Sequence, residues 1–117
     1  MRRDDALLLD MLVAARKIQQ FTNDMVRTDF EASALVQSAA IREIQVIGEA
    51  ARLVSDPTRA AQPHIPWALI VGMRHRIIHE YFDIDLGILW DTIQNDIPAL
   101  IELLADIVPP EDEGNAR

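Results

Sequence analysis

The residues with the greatest capacity for chemistry are concentrated between Met73 and Asp83. This stretch, called the motif below, holds two of the three histidines of the chain, two arginines, two acids and the only tyrosine. Arg74 lies five residues before His79, and Tyr81 follows the histidine at two. Arginine binds phosphate groups well, and histidine carries protons near neutral pH. The pattern therefore indicates chemistry on a phosphodiester.

Phosphodiester cleavage with these residues needs no metal ion. His79 can take a proton from a ribose 2′-hydroxyl or return one to the leaving oxygen. Arg74 can stabilise the charge that grows on the phosphorus centre. His75 directly follows the arginine and is assigned a supporting role. We predict neither a metal ion nor a cofactor for this site.

The position of the motif at a helix end decides whether Arg74 and His79 can meet. On a straight helix five residues turn through about 500°, which leaves the two side chains roughly 140° apart. They converge if the helix unwinds near His79, or if the long arginine side chain reaches around it. A helix end would also let a dimer bring two copies of the site together.

Two structural interpretations of the motif compete with catalysis. In the first, its cations form ion pairs around the helix end with Glu80, Asp83 and Asp85. In the second, His75 and His79 bind zinc, since residues four apart share one face of a helix. The zinc interpretation is the weaker one, because Glu80 is the only adjacent third ligand and the chain has no cysteine.

Four helices are predicted to position the motif, because apolar residues recur at spacings of three and four in four segments. The segments cover about 4–26, 29–54, 66–79 and 85–107. Asp4 or Asp5 is expected to cap the first helix, and Asp83 or Asp85 the fourth. Pro98 interrupts the fourth segment without changing the apolar phase, which predicts one kinked helix. Residues 55–66 are expected to be irregular.

These elements predict an all-α, four-helix bundle that forms a single domain at 1–108. An acidic, disordered tail is expected at 109–117. On the second helix, Gly48 predicts close backbone packing. A polar row that includes Glu49 is interpreted as a solvated face; the alternative bonds Glu49 to a cation of the motif.

Charge is distributed unevenly along the chain. Residues 1–79 hold ten Arg/Lys and nine Asp/Glu, a net of +1, whereas residues 80–117 hold one arginine and ten acids, a net of −9. The total of −8 excludes a general nucleic-acid coat but leaves room for a small anion site. Because the chain has no cysteine, no apolar signal segment and no apolar run long enough for a bilayer, we expect a cytoplasmic protein without membrane contact.

The motif and its surroundings, from Gly72 to Asp85, resemble the signature of the HepT-like HEPN ribonucleases. Those proteins are the toxins of bacterial toxin–antitoxin pairs whose partner is a minimal nucleotidyltransferase of the MntA type. The resemblance extends over most of the chain and includes three further segments, which are Ile47–Ala51, Ile65–Trp67 and Trp90–Thr92. HEPN motifs usually carry Asn, Asp or His directly after the arginine, and this chain has histidine there.

The resemblance implies a HEPN bundle that forms a homodimer with the site at its interface, and metal-independent cleavage of RNA. It makes Arg74 and His79 catalytic, and it makes Tyr81 the residue to which the nucleotidyltransferase adds AMP. A tyrosine packed at a helix end, with its hydroxyl bonded, is the structural alternative for that residue. Two other functions stay open: a non-catalytic subunit that docks a nucleotidyltransferase and binds substrate or nucleotide, and a plain helical interaction module.

Overall fold

Helices make up nearly all the regular structure of residues 2–109, the part of the chain that the computed structural model describes. In chain order they are α1 (Arg2–Thr22), α2 (Arg27–Glu31), α3 (Ala34–Leu53), α4 (Asp56–Ala61), α5 (Trp67–Val71), α6 (Met73–Ile77), α7 (Leu86–Asp91) and α8 (Ile97–Ile107). A 3-10 turn at Glu80–Phe82 joins α6 to α7, and a π-helical segment at Thr92–Asp96 joins α7 to α8. The predicted all-α class is confirmed. Within the described residues no helix is long and apolar enough to cross a bilayer.

The core lies where α1 packs against α3 and α8. Each of these helices turns one apolar stripe inward, as the spacing of their apolar residues predicts. Fully buried side chains from the three helices include Met11, Ile18, Ile44, Ile47, Ile97 and Leu104. The three longest helices therefore form the frame on which the shorter helices of the motif rest.

The second predicted helix is two helices, and the prediction of one continuous helix was wrong. Ser33 interrupts it, because its side-chain oxygen accepts a hydrogen bond from the backbone N–H of Val36 at 3.2 Å and caps α3. The break lets α2 turn, so that Phe30 is buried against Trp90 of α7 with their ring centroids 5.2 Å apart. Since α7 follows the motif directly, α2 helps to hold that end of the bundle.

The connection that was expected to be irregular contains α4, which fastens the ends of α1 and α3. Arg59 of α4 closes the C-terminal end of α3: it donates to the carbonyl oxygens of Ala51, Arg52 and Val54 at 3.1, 2.6 and 3.1 Å. The last carbonyls of a helix have no partner within it, so a cation there satisfies them and opposes the helix dipole. The prediction of an irregular connection was therefore wrong for Asp56–Ala61 and right for 62–66.

Asp4 is not the predicted cap of α1, because that helix begins at Arg2 and Asp5 lies inside it as well. Asp4 is buried, and its carboxylate accepts hydrogen bonds from the Ser55 N–H at 3.1 Å and from the Ser55 and Thr58 hydroxyls, both at 2.5 Å. The bonds from Ser55 and then Thr58 favour the ionised form and lower the pKa of Asp4 from 3.8 to about 2. The helix also ends at Thr22, earlier than predicted.

Asp4→Asn is expected to lower the free energy of unfolding at neutral pH. The neutral asparagine amide has one acceptor oxygen in place of two and no negative charge to strengthen the three hydrogen bonds. Ionised Asp4 has a folded pKa below its unfolded one, so its stabilisation is present above about pH 4 and is lost toward about pH 2. The difference between wild type and variant should therefore narrow over that range in urea unfolding curves. Asp5→Asn, at an exposed neighbour, is the control; an equal effect of both variants would contradict the assignment.

The third predicted helix is also divided, since α5 and α6 meet at Gly72. Gly48 of α3 faces this pair: a Cβ added there would lie 3.5 Å from the carbonyl oxygen of Ile70 and 3.7 Å from that of Val71. The predicted close backbone packing at Gly48 is confirmed. The helix that carries the motif is thereby supported directly on α3.

The fourth predicted helix is continuous in its backbone from Leu86 to Ile107, as predicted. The helix widens locally at the π-helical segment, where the Ile97 N–H donates to the carbonyl oxygen five residues earlier, on Thr92. Pro98 has no N–H to offer the preceding turn, and a wider turn before it accommodates that loss. The predicted acidic tail lies outside the described residues, apart from Pro109.

Candidate functional site

The helix that carries Arg74 ends before it reaches His79. The last turn of α6 closes with the Ile78 N–H donating to the Arg74 carbonyl oxygen at 2.9 Å. Ile78 itself is extended, with φ −108° and ψ 121°, and His79 is extended as well. Of the two ways in which Arg74 and His79 could converge, the structure shows the first, an unwound helix near His79. The 140° separation of a straight helix therefore does not apply.

A short loop turns the chain back beside the end of α6. Ile78 and Ile84 form an isolated antiparallel bridge at its base. The His79 N–H donates to the Asp83 carbonyl oxygen at 2.8 Å, and the Asp85 N–H donates to the Ile77 carbonyl oxygen at 2.7 Å. We call residues 78–84 the site loop. The two hydrogen bonds form this bridge and hold the segment after the loop against the segment before it.

Tyr81 stands at the tip of the site loop in a left-handed conformation, with φ 57° and ψ 34°. An aromatic residue in this region is strained, at a typical cost of about 1–3 kcal/mol. Its side chain is 97 % exposed, so the alternative of a tyrosine packed at the helix end is wrong. The left-handed backbone of Tyr81 is therefore energetically unfavourable, and it places the ring in solvent.

Arg74 and His79 border the same open depression on the surface. Its lining is formed by the motif alone: Arg74, His75, Ile78, His79, Glu80 and Tyr81. The Nε atom of Arg74 is buried and has no hydrogen-bond partner among the described residues. Buried polar atoms nearly always have a partner, so this guanidinium has a hydrogen-bonding capacity that the described residues do not use.

The carboxylate of Asp85 lies between His79 and the start of α7. Its Oδ1 accepts from the Ile88 N–H at 2.9 Å, which confirms Asp85 as the cap of the fourth predicted helix. Its Oδ2 is 3.9 Å from Nε2 of His79, and both side chains are partly exposed. The sequence predicted Asp85 as a helix cap, or as an ion-pair partner in the structural interpretation of the motif. It did not predict a contact between Asp85 and a catalytic His79.

The two structural interpretations of the motif find limited support. Among the described residues, the His79–Asp85 contact is the only one within 4.0 Å between a motif cation and an acid. Arg76 donates instead to the Leu69 carbonyl oxygen at 3.0 Å. The zinc interpretation assumed one helical face for both histidines, and His79 lies beyond the helix that carries His75. In residues 2–109 no three His, Cys, Asp or Glu side chains are grouped to bind a metal.

The polar row on α3 is a solvated face. Glu49 pairs with Arg52 on its own helix, and both side chains are exposed. The alternative in which Glu49 bonds to a cation of the motif was therefore wrong. The buried acid of this helix is Glu43, whose Oε2 is 2.8 Å from Nη1 of the exposed Arg42.

Comparisons with known proteins agree with the motif. A family model described as ribonuclease HepT-like matches residues 11–107. The chain is 37 % identical over 93 residues to a protein of Thermococcus cleftensis named probable ribonuclease HepT, with 80 % of this chain and 84 % of that one covered. It is 36 % identical over 95 residues to a protein of Methanocaldococcus jannaschii named as a candidate RNase, with 81 % and 87 % covered. No solved structure matches.

Proposed function

This chain belongs to the HepT-like ribonuclease family, and from that membership we propose that it is an endoribonuclease that cleaves RNA in the depression between Arg74 and His79. The observation that carries the proposal is that Arg74 and the half-exposed His79 line the same open depression. A phosphodiester of RNA supplies an acceptor for the arginine, together with a hydroxyl proton for the histidine.

The proposed reaction uses the ribose as its own nucleophile. His79 takes the proton of the 2′-hydroxyl, the 2′-oxygen forms a bond to phosphorus, and the bond to the 5′-oxygen of the next nucleotide breaks. The proton that His79 has taken up passes to that leaving oxygen through solvent water, and the product carries a 2′,3′-cyclic phosphate. Arg74 donates to the phosphoryl oxygens as their negative charge grows. His75, exposed on α6 and lining the same depression, supports the binding of the phosphate.

A homodimer is proposed because one copy of the depression offers little surface to an RNA strand. It is open and formed by six residues of one short stretch, and the chain as a whole is acidic. Two copies brought together by a twofold axis would double the local positive charge along one cleft. The same contact would exclude water from the pair and strengthen both charge interactions.

The biological role that we propose is the toxin of a toxin–antitoxin pair in the cytoplasm. Its antitoxin would be a minimal nucleotidyltransferase that transfers AMP from ATP to Tyr81. The exposed ring at the tip of the site loop supports this role, because a modifying enzyme can reach it without unfolding the bundle. The modified tyrosine would stay within reach of the Arg74–His79 depression.

Cleavage of RNA in excess chelator tests the proposed activity directly. Since the reaction uses only side chains of the protein, we expect unchanged rates in EDTA and products that end in 2′,3′-cyclic phosphate or the derived 3′-phosphate. Both features are measured on one labelled RNA by gel electrophoresis and mass spectrometry. Activity that disappears in EDTA and returns with magnesium or zinc would contradict the mechanism. Absence of cleavage under all conditions would favour the non-catalytic docking subunit instead.

A further inference from the structure

Asp85 directs its two carboxylate oxygens to two different tasks. Oδ1 accepts from the Ile88 N–H at 2.9 Å and caps α7. Oδ2 lies 3.9 Å from Nε2 of His79. A helix cap uses only one carboxylate oxygen. Oδ2 is therefore not needed for the cap and can interact with the imidazole of His79.

Backbone hydrogen bonds hold both of the residues that carry this carboxylate and this imidazole. The residue carrying the carboxylate is bonded through its own N–H to the Ile77 carbonyl oxygen at 2.7 Å. The residue carrying the imidazole is bonded through its N–H to the Asp83 carbonyl oxygen at 2.8 Å. These two bonds form the antiparallel bridge between Ile78 and Ile84. The bridge therefore sets the relative placement of the His79 and Asp85 backbones.

We propose that Asp85 is a positioning residue for His79, whose carboxylate orients the imidazole and stabilises the imidazolium formed when the ring takes up a proton. The 3.9 Å separation is too long for a hydrogen bond in the resting state. It is short enough for the attraction between opposite charges that arises once the ring is protonated. This inference rests on the proposed function, because RNA cleavage is the step that places the proton on His79.

The other charges near this pair come from two elements. Within the motif and site loop, Arg74 adds positive charge, Glu80 and Asp83 add negative charge, and His75 is a further titratable group. From α2, Arg27 reaches the N-terminus of α7, where a Cβ added to Gly87 would lie 3.2 Å from its Nη2 and 3.4 Å from Oδ1 of Asp85.

Arg27 leaves Oδ2 of Asp85 available to the imidazole. Its Nε is held by Glu31 at 2.8 Å, and the bond to Glu31, followed by the charges of Asp91 and Asp85, raises the pKa of Arg27. Nη2 of Arg27 and the capping oxygen Oδ1 both lie near the position that a Cβ on Gly87 would take, and no nitrogen of Arg27 lies within 4.0 Å of the Asp85 carboxylate. The side that faces His79 belongs to the other oxygen.

Asp85→Asn separates the charge from the cap, because asparagine caps helices about as well as aspartate. We expect a fall of about tenfold in kcat for RNA cleavage, with KM changed by less than about twofold and an unchanged melting temperature. Asp85→Glu, which keeps the charge, should recover part of kcat. Asp83→Asn is the matched control: it removes one negative charge from the same loop, its side chain makes no ion pair with His79, and the backbone bond from His79 to the Asp83 carbonyl oxygen is kept. Its kcat should stay within about twofold of wild type.

The histidine ring signals in NMR spectra supply a readout that does not depend on cleavage. The His79 signals are assigned by their loss in His79→Ala. Because the carboxylate of Asp85 lies beside the imidazole, Asp85→Asn should move the His79 ring signals, and Asp83→Asn should move them less.

The two readouts distinguish the failure of this inference from the failure of the proposed function. If Asp85→Asn and Asp83→Asn give the same kcat and the same His79 ring signals, the positioning role is overturned, whatever the wild type does to RNA. If no variant and no wild type cleaves RNA, the proposed function fails, and a change of the His79 ring signals confined to Asp85→Asn still establishes the contact between the two side chains. A melting temperature that falls in Asp85→Asn as far as in Asp85→Ala would show that the residue acts only through α7, and would overturn the role too.

Discussion

Arg74→Ala and His79→Ala are each expected to lower RNA cleavage by at least about 100-fold, because each removes a group that acts only in the transition state. Neither change should cost much stability. The Nε of Arg74 has no hydrogen-bond partner to lose among the described residues, and His79 is half exposed with only a 3.9 Å contact to Asp85. Single-turnover cleavage rates and thermal unfolding, measured on the same preparations, test both statements.

Matched controls come from residues of the same types outside the depression. Arg52→Ala removes an exposed arginine from the solvated face of α3, and His64→Ala removes an exposed histidine from the connection before α5. Both should cleave within about twofold of wild type, since neither side chain lines the depression. If the two site variants instead melt much earlier, and their cleavage merely follows the folded fraction, the motif is a structural helix end and not a catalytic site.

The frame of the fold could be predicted because it depends on local periodicity. Long runs of apolar residues at spacings of three and four produced α1, α3 and α8 wherever the chain had no competing polar contact. The errors fall where a side chain bonds to the backbone or to a distant residue. Ser33 ends one helix by capping the next, and Asp4 bonds to Ser55, 51 residues away in sequence. Hydropathy carries no signal for either contact.

The sequence indicated what Arg74 and His79 need in order to converge, but it did not indicate the shape of the site loop. The rotation of a helix shows that Arg74 and His79 can meet only if the helix unwinds near His79 or if the arginine side chain reaches around it, and the structure has the unwound turn. The shape of the site loop has no such signal. Glycine, proline or asparagine usually mark tight turns, whereas this loop places Tyr81 in the left-handed region and is closed by Ile78 and Ile84. Tertiary support therefore decides its form.

Adenylylation of Tyr81 is expected to abolish cleavage, which would be the largest regulatory effect on this chain. In the transfer, the phenolic oxygen bonds to the α-phosphorus of ATP, pyrophosphate leaves and the phenolic proton is released. The product is a phosphodiester attached to the tip of the site loop. Because Tyr81 lines the same depression as Arg74 and His79, the new phosphate can take the arginine's donors that the RNA phosphate requires. Covalent attachment makes this block insensitive to competing RNA.

Co-expression with an active nucleotidyltransferase partner tests this silencing. We expect intact-mass spectra to show one or more added AMP units, peptide mapping to place them on the Tyr81 peptide, and the purified protein to leave RNA uncut. Tyr81→Phe should keep nuclease activity and escape silencing by modification, because it keeps the exposed ring and loses only the acceptor oxygen. His75→Ala, which keeps that oxygen within the same depression, should still be modified. If the co-expressed wild type carries no adduct and is nevertheless silent, tight binding is the neutralising route and the modification is refuted.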